Sequence, residues 1–262
     1  MIGFGCVKLT SHSTQQEALS VLKCAFDNGI RWFDTAPLYG QGYSERILGN
    51  FIKSLSNTDK YELKVVTKFG LGIPKENFIP SRLALPLNYV KSKIKGAHIS
   101  NIHSSVHPQI RKINLDYIEK QFHLSQKRIG VEEFHGYLGH EMSPNWLSDE
   151  ALFFLHTKKA EGLIRNLGIG TSATFLLENE KSINQSDFNL LQFSFDNLKS
   201  FKIIQETFSQ SKLSSYGFFS VSDSFSGIDN IKTIQTEYPE TTLLFSTSKK
   251  ARLIANIKSI TQ

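Results

Sequence analysis

The chain is short of several things. Two cysteines, Cys6 and Cys24, stand in apolar surroundings with no spacing that suggests a disulfide framework. That pattern favours buried, reduced thiols and a cytosolic setting. No stretch approaches the ~20 apolar residues of a membrane-spanning helix, and no charged-then-apolar leader opens the sequence. The net charge of +6 is moderate and spread along the chain, without the Arg/Lys runs of a nucleic-acid surface. Cys, His and carboxylate spacings complete no metal site. His103 and His107 come nearest, but Pro108 argues against a helix presenting both. No Gly-x-Gly-x-x-Gly follows the first apolar run, which speaks against a doubly wound dinucleotide-binding sheet, the second fold considered. Proline is sparse and uneven: four of the seven, Pro74, Pro80, Pro86 and Pro108, fall within residues 70–109.

What is present is alternation. Apolar, strand-like runs occur at 2–7, 31–35, 63–69, 131–138, 163–170, 188–194, 212–219 and 241–246. Helical patterns fill the intervals. Thr14 before Gln15-Gln16-Glu17 marks one helix start, and Ala18, Leu19, Val21, Leu22, Ala25 and Phe26 form its apolar stripe. Eight strand–helix units predict a parallel sheet closed into a (β/α)8 barrel, and 262 residues suit one such domain spanning 1–262. Only residues 70–109 break the rhythm. They carry aromatics but no sustained period, which predicts a long functional loop over the catalytic end.

The most informative stretch is 31–49. Trp32-Phe33 reads as a buried strand, and Pro37 stops regular pairing after Asp34-Thr35-Ala36. Leu38-Tyr39-Gly40-Gln41-Gly42 is a turn, and Ser44-Glu45 opens a helix. An acid and a phenol therefore share one strand-to-helix connection, at the strand end where barrels build their chemistry. Asp34-Thr35-Ala36, Tyr39-Gly40, Ser44-Glu45 and Leu48-Gly49 at this spacing resemble the aldo-keto reductase signature. The resemblance extends along nearly the whole chain. It implies an NAD(P)H-dependent oxidoreductase on a (β/α)8 barrel. The small hairpin that often precedes the first strand would be absent or truncated here.

Carbonyl reduction needs hydride on carbon and a proton on oxygen. Tyr39 is the candidate donor, although a phenol near pKa ~10 is a poor acid at neutrality. An ammonium beside it would lower that value, and Lys68 at the end of the third strand is placed to supply one, with Asp34 holding the lysine. His140, ending the fourth strand, can hydrogen-bond the substrate oxygen. Singly, each is an ordinary loop or strand-end residue. Jointly, Asp34, Tyr39, Lys68 and His140 match the family's catalytic four. His135 stands where the family usually has an aspartate, which touches a structural hydrogen bond rather than the reaction.

The resemblance also implies that Gln192 holds the nicotinamide amide. Tyr216 can stack on the nicotinamide ring. Gly170-Thr171 replace the Ser-Asn of many relatives, which removes side-chain contacts to that amide. Ser246, Thr247 and Ser248 precede the last helix and suit a phosphate. Arg252, one turn in, can fork onto a 2′-phosphate, and Asn256 matches the adenine contact. The expected cofactor is NADPH, with NADH as the alternative. The expected partner is a small carbonyl or sugar. Phe33 to Gly40 resembles the branch that oxidises aldoses at C1, so a sugar dehydrogenase is one rival. A cofactor-binding regulatory subunit with little turnover is the other.

Overall fold

The computed structural model describes residues 1–12, 14–71, 112–219 and 224–261, and the side chains of the last stretch from 226 onward. Eight strands form one closed, parallel barrel in chain order: β1 (Ile2–Gly5), β2 (Trp32–Asp34), β3 (Lys64–Phe69), β4 (Gly136–His140), β5 (Leu167–Thr171), β6 (Leu190–Ser194), β7 (Lys212–Tyr216) and β8 (Thr242–Phe245). The seam closes between β1 and β8, with Phe4 opposite Phe245. Among the described residues the helices are α1 (Gln15–Asp27), α2 (Tyr43–Lys53), α3 (Asn57–Glu62), α4 (Leu115–Ile129), α5 (Asp149–Ala160), α6 (Ala173–Glu178), α7 (Leu198–Thr207), α8 (Ser224–Glu237) and α9 (Lys250–Thr261). The expected loop at 70–109 lies outside the described residues beyond Leu71.

Local chemistry sets the helix ends. Thr14 and Glu17 form a capping box at α1, and Asn114, Ser148, Ser172 and Asn197 each accept from the N3 amide of their helices. Gly130, at φ 75°, ends α4 in the left-handed conformation.

The side-chain period of two divides the barrel wall. Outward residues such as Phe4, Phe33, Val65, Tyr137 and Leu191 join the large core beneath the helices. Inward, Trp32, Val66, Leu138, Leu190 and Leu244 form a separate apolar layer with Tyr216 against it. Two residues further along their strands stand Asp34, Lys68, His140 and Gln192. The polar site thus rests on the apolar layer as the next tier of the same wall.

Several boundaries differ from the expected ones. The first strand stops at Gly5 instead of Val7, and the chain turns into a 3-10 helix, Cys6–Ser11, that still buries Cys6 and Leu9. The fourth strand begins at Gly136 instead of 131. Phe134 makes one isolated bridge to Ile164, and Glu132, Glu133 and His135 sit outside the ladder. The seventh ends at Tyr216, because Gly217 takes φ 93°. α3 is an element that the hydrophobic pattern did not indicate, since none of its residues is buried.

Two contacts bind α4 to the start of the barrel. The Arg128 guanidinium lies 3.0 Å from the wholly buried Glu45 carboxylate, which also accepts from Thr67 at 2.8 Å. The Tyr117 hydroxyl donates to the Gly70 carbonyl at 3.0 Å.

Candidate active site

Asp34, Lys68, His140 and Gln192 come from four strands and meet at the C-terminal mouth, each only 1–4 % exposed. The Lys68 ammonium donates to both Asp34 oxygens, at 2.7 and 2.8 Å, and to the Thr35 carbonyl at 3.1 Å. Gln192 Nε2 donates to Asp34 Oδ2 at 2.9 Å. A charge pair this deep persists only when its remaining hydrogen-bonding capacity is met, and here a carbonyl and an amide meet it.

Tyr39 reaches this group from the β2–α2 turn. Its ring lies edge-on to His140, with centroids 5.9 Å apart, and Lys68 Nζ is 5.2 Å from the ring centre. The turn is unusual: Gly40, Gln41 and Gly42 all have positive φ, at 59°, 58° and 80°. Glycine suits the outer two positions on steric grounds as well. A side chain on Gly40 would strike Thr10, and one on Gly42 would strike the Arg128 guanidinium. Ser44 braces the turn by donating to the Cys6 carbonyl at 3.0 Å, and its hydroxyl is 3.1 Å from that of Thr35.

The electrostatics correct one expectation. Lys68 was expected to lower the phenol. Burial, and then the carboxylates of Asp34 and Glu141, hold Tyr39 well above its ordinary value. The ammonium does not prevail because it is bound to Asp34. Tyr39 therefore keeps its proton at neutral pH.

Glu141 was not indicated by the sequence pattern. It follows His140 with φ 50°, outside the region that non-glycine residues favour. Its N–H bonds the Gly170 carbonyl at 2.8 Å, and its carboxylate accepts from Thr171 Oγ1 at 2.9 Å. The Tyr216 hydroxyl donates to the Thr171 carbonyl at 3.4 Å. The Glu141 charge thus bears on both tyrosines of the mouth, Tyr39 and Tyr216. The only advance sign was an acid directly after a strand-end histidine.

The remaining expected residues line the exits of β5 and β8. A side-chain carbon on Gly170 would sit 3.3 Å from Gln192 Oε1 and 3.4 Å from Lys68 Cε. A side chain there would crowd that amide oxygen, and the glycine keeps the position free of one. Thr247 is buried and accepts from the Lys249 N–H at 3.1 Å, beside Ser248. The Ser246 hydroxyl is shut off from solvent with no hydrogen-bond partner among the described residues. Arg252 is exposed in the first turn of α9, and half-buried Asn256 follows one turn later on the same face. The space that Gly170 leaves beside Gln192, and the orphaned Ser246 hydroxyl ahead of the helix that carries Arg252, fit a nicotinamide dinucleotide. His135 lies off the mouth, 4.8 Å edge-on from Trp32, and its carbonyl accepts from Asn166. Among the described residues no group of three or more His, Cys, Asp or Glu could hold a metal. His103 and His107 fall outside those residues.

An eight-stranded parallel barrel with this polar tier at its mouth defines the class: a (β/α)8 barrel with its candidate site at the C-terminal strand ends. The model of the Aldo/keto reductase family matches residues 1–211, and the chain belongs to that family. It is similar to a D-threo-aldose 1-dehydrogenase from Pseudomonas sp, 29 % identical over 180 residues, which are 68 % of this chain and 50 % of that one. The chain spans about half or less of the length of the curated relatives that it matches. An aldo-keto reductase from Bacillus halodurans in its holo form has the same fold, with a TM-score of 0.69 at 17 % identity, covering 100 % of this chain and 86 % of that one. So does one from Klebsiella pneumoniae in complex with NADPH, with a TM-score of 0.65 at 13 % identity, covering 100 % and 85 %. No helix among the described residues is long and apolar enough to cross a membrane.

Proposed function

We propose that this protein reduces an aldehyde or ketone to the alcohol with NADPH, and that Tyr39 gives the proton. The observation that carries the reading is the buried Lys68–Asp34 pair beneath Tyr39 and His140 at one barrel mouth. A bound nicotinamide cofactor supplies hydride to the carbonyl carbon. Everything else falls to the chain's own residues. His140 and Tyr39 orient the carbonyl oxygen, and the Tyr39 hydroxyl hydrogen passes to that oxygen as charge develops on it. Lys68, held by Asp34, keeps a positive charge near the phenolate that forms. Gln192 and the open side of Gly170 receive the nicotinamide amide, and the β8 exit receives the phosphates.

Tyr39→Phe tests the reading. It keeps the ring and removes only the hydroxyl. Reduction of an aldehyde panel should fall by at least about a hundredfold, the scale of general acid catalysis. NADPH binding, followed by fluorescence, should stay near wild type. Turnover close to wild type would remove Tyr39 from the mechanism. A second reading, oxidation of an aldose at C1, is supported by the likeness to D-threo-aldose 1-dehydrogenase. Oxidation of free aldoses outpacing reduction of every aldehyde tested would favour it.

A further inference from the structure

The foot of the barrel, where the strands begin, carries a second polar tier that the reading above does not use. Lys64 stands on the same side of β3 as Val66, and Lys212 on the same side of β7 as Tyr216, so both turn inward there. Trp32 is the Cα partner of Lys64 on the neighbouring strand. The Lys64 ammonium reaches Met1 Sδ at 3.8 Å. Because β2 runs between β1 and β3, that reach crosses the foot of Trp32. From the other side, the His135 ring meets the Trp32 ring with centroids 4.8 Å apart. Asn166, 1 % exposed, ties His135 to Lys212. Its Nδ2 donates to the His135 carbonyl at 2.7 Å, and its Oδ1 accepts from Lys212 Nζ at 3.0 Å. Contacts therefore hold one ammonium on each flank of the Trp32–His135 pair.

This tier is short of acceptors. Among the described residues neither Lys64 nor Lys212 has a carboxylate partner. Two carboxylates of the same rim, Glu62 and Glu133, are taken by Arg31 and Arg165 at 2.6 and 2.7 Å. The Trp32 indole N–H belongs to a residue 4 % exposed and has no acceptor among the described residues, which is a costly state for a buried donor. The surplus of positive charge also reaches the imidazole: burial, and then Lys64, Arg165 and Lys212, lower His135 to about 4. Two unneutralised ammonium groups and an orphaned N–H complement an oxyanion.

We propose that the foot of the barrel binds a small dianionic oxyanion, a phosphate or a dicarboxylate, between Lys64 and Lys212, with the Trp32 indole N–H donating to it. The two lysines offset its two charges. The site lies beyond the apolar layer from Lys68 and Asp34, and it does not depend on the cofactor reading.

The test follows the two indole N–H resonances by NMR. Trp32 reports the foot, and Trp146, which follows β4, reports the mouth end. Trp146→Phe assigns them. The probes are inorganic phosphate, sulfate and succinate, with ionic strength held constant by sodium chloride. At least one of the three should move the Trp32 resonance saturably, and the tetrahedral anions against succinate tell the phosphate class from the dicarboxylate class. Lys212→Gln should weaken that binding about tenfold, as a lost charge-assisted contact does, and Lys212→Arg should restore most of it. Lys64→Gln combined with Lys212→Gln should abolish the saturable shift. An unchanged Trp146 resonance shows that each variant is folded. Sulfate stays doubly charged in mild acid, so at saturation it should raise the pH at which the His135 ring titrates above that seen in chloride. A Trp32 resonance that no probe moves, or that moves as far in the double variant, would overturn the proposal. So would equal His135 titration in sulfate and in chloride, because screening alone would then account for it.

Discussion

Lys68→Met should unfold the protein far more easily, and for a reason that a second substitution can isolate. Of its two side-chain donors, Asp34 would keep only the Gln192 amide. A carboxylate 4 % exposed would then be stranded in the barrel. Breaking one side of a buried pair costs about 3–5 kcal/mol. At about 2–4 °C per kcal/mol for a chain of this size, Tm should drop by roughly 6–20 °C. Asp34→Asn should do similar damage by stranding the ammonium, which would keep the Thr35 carbonyl at 3.1 Å. The double variant buries no charge. It should be more stable than the sum of the single losses implies, with a coupling of at least about 2 kcal/mol. Urea unfolding followed by the fluorescence of Trp32 and Trp146 gives all four stabilities, and an unchanged m-value shows that the unfolding event is the same. Additive losses would refute the reasoning and mean that the pair is not coupled through its charge. All three variants should lose carbonyl reduction, since none keeps an ammonium held at the phenol.

Glu141→Gln can keep the Thr171 bond and removes one of the charges that hold Tyr39 up. The basic limb of the pH–rate profile should therefore move to lower pH, and an unmoved limb would mean that the carboxylate does not reach the phenol. His135 sits near Lys64, Arg165 and Lys212, and burial followed by those cations lowers it from its ordinary 6.5 to about 4. Between those values the unfolded chain binds the proton and the folded one does not, so stability falls as pH drops from 6.5 toward 4. After screening at this half-exposed site the loss is on the order of 1–2 kcal/mol, and His135→Asn should flatten that limb in urea melts taken across the window.

The architecture was readable because each element repeats a simple rule. Eight apolar runs separated by helical stripes imply the barrel, and the period of two places Asp34, Lys68, His140 and Gln192 above Trp32, Val66, Leu138 and Leu190. What was hidden depends on contacts between distant segments. The lysine–aspartate bond was anticipated, but not that it would leave the phenol raised. Glu141 is held in a disfavoured conformation by a strand that follows it. Arg128 fills the space that Gly42 leaves, 86 residues earlier in the chain.

The bond from Tyr117 to Gly70 and the bond from Arg128 to Glu45 have a consequence for how this barrel can be varied. The first fastens α4 to the residue that follows β3, and the second fastens α4 to α2, so the two ends of the stretch beyond Leu71 are held from the barrel side. Lys68 and the Tyr39 turn keep these anchors whatever lies between residues 71 and 112. Exchanging residues 72–111 should therefore leave the Lys68–Asp34 pair intact, which urea melts of the exchanged chain would check.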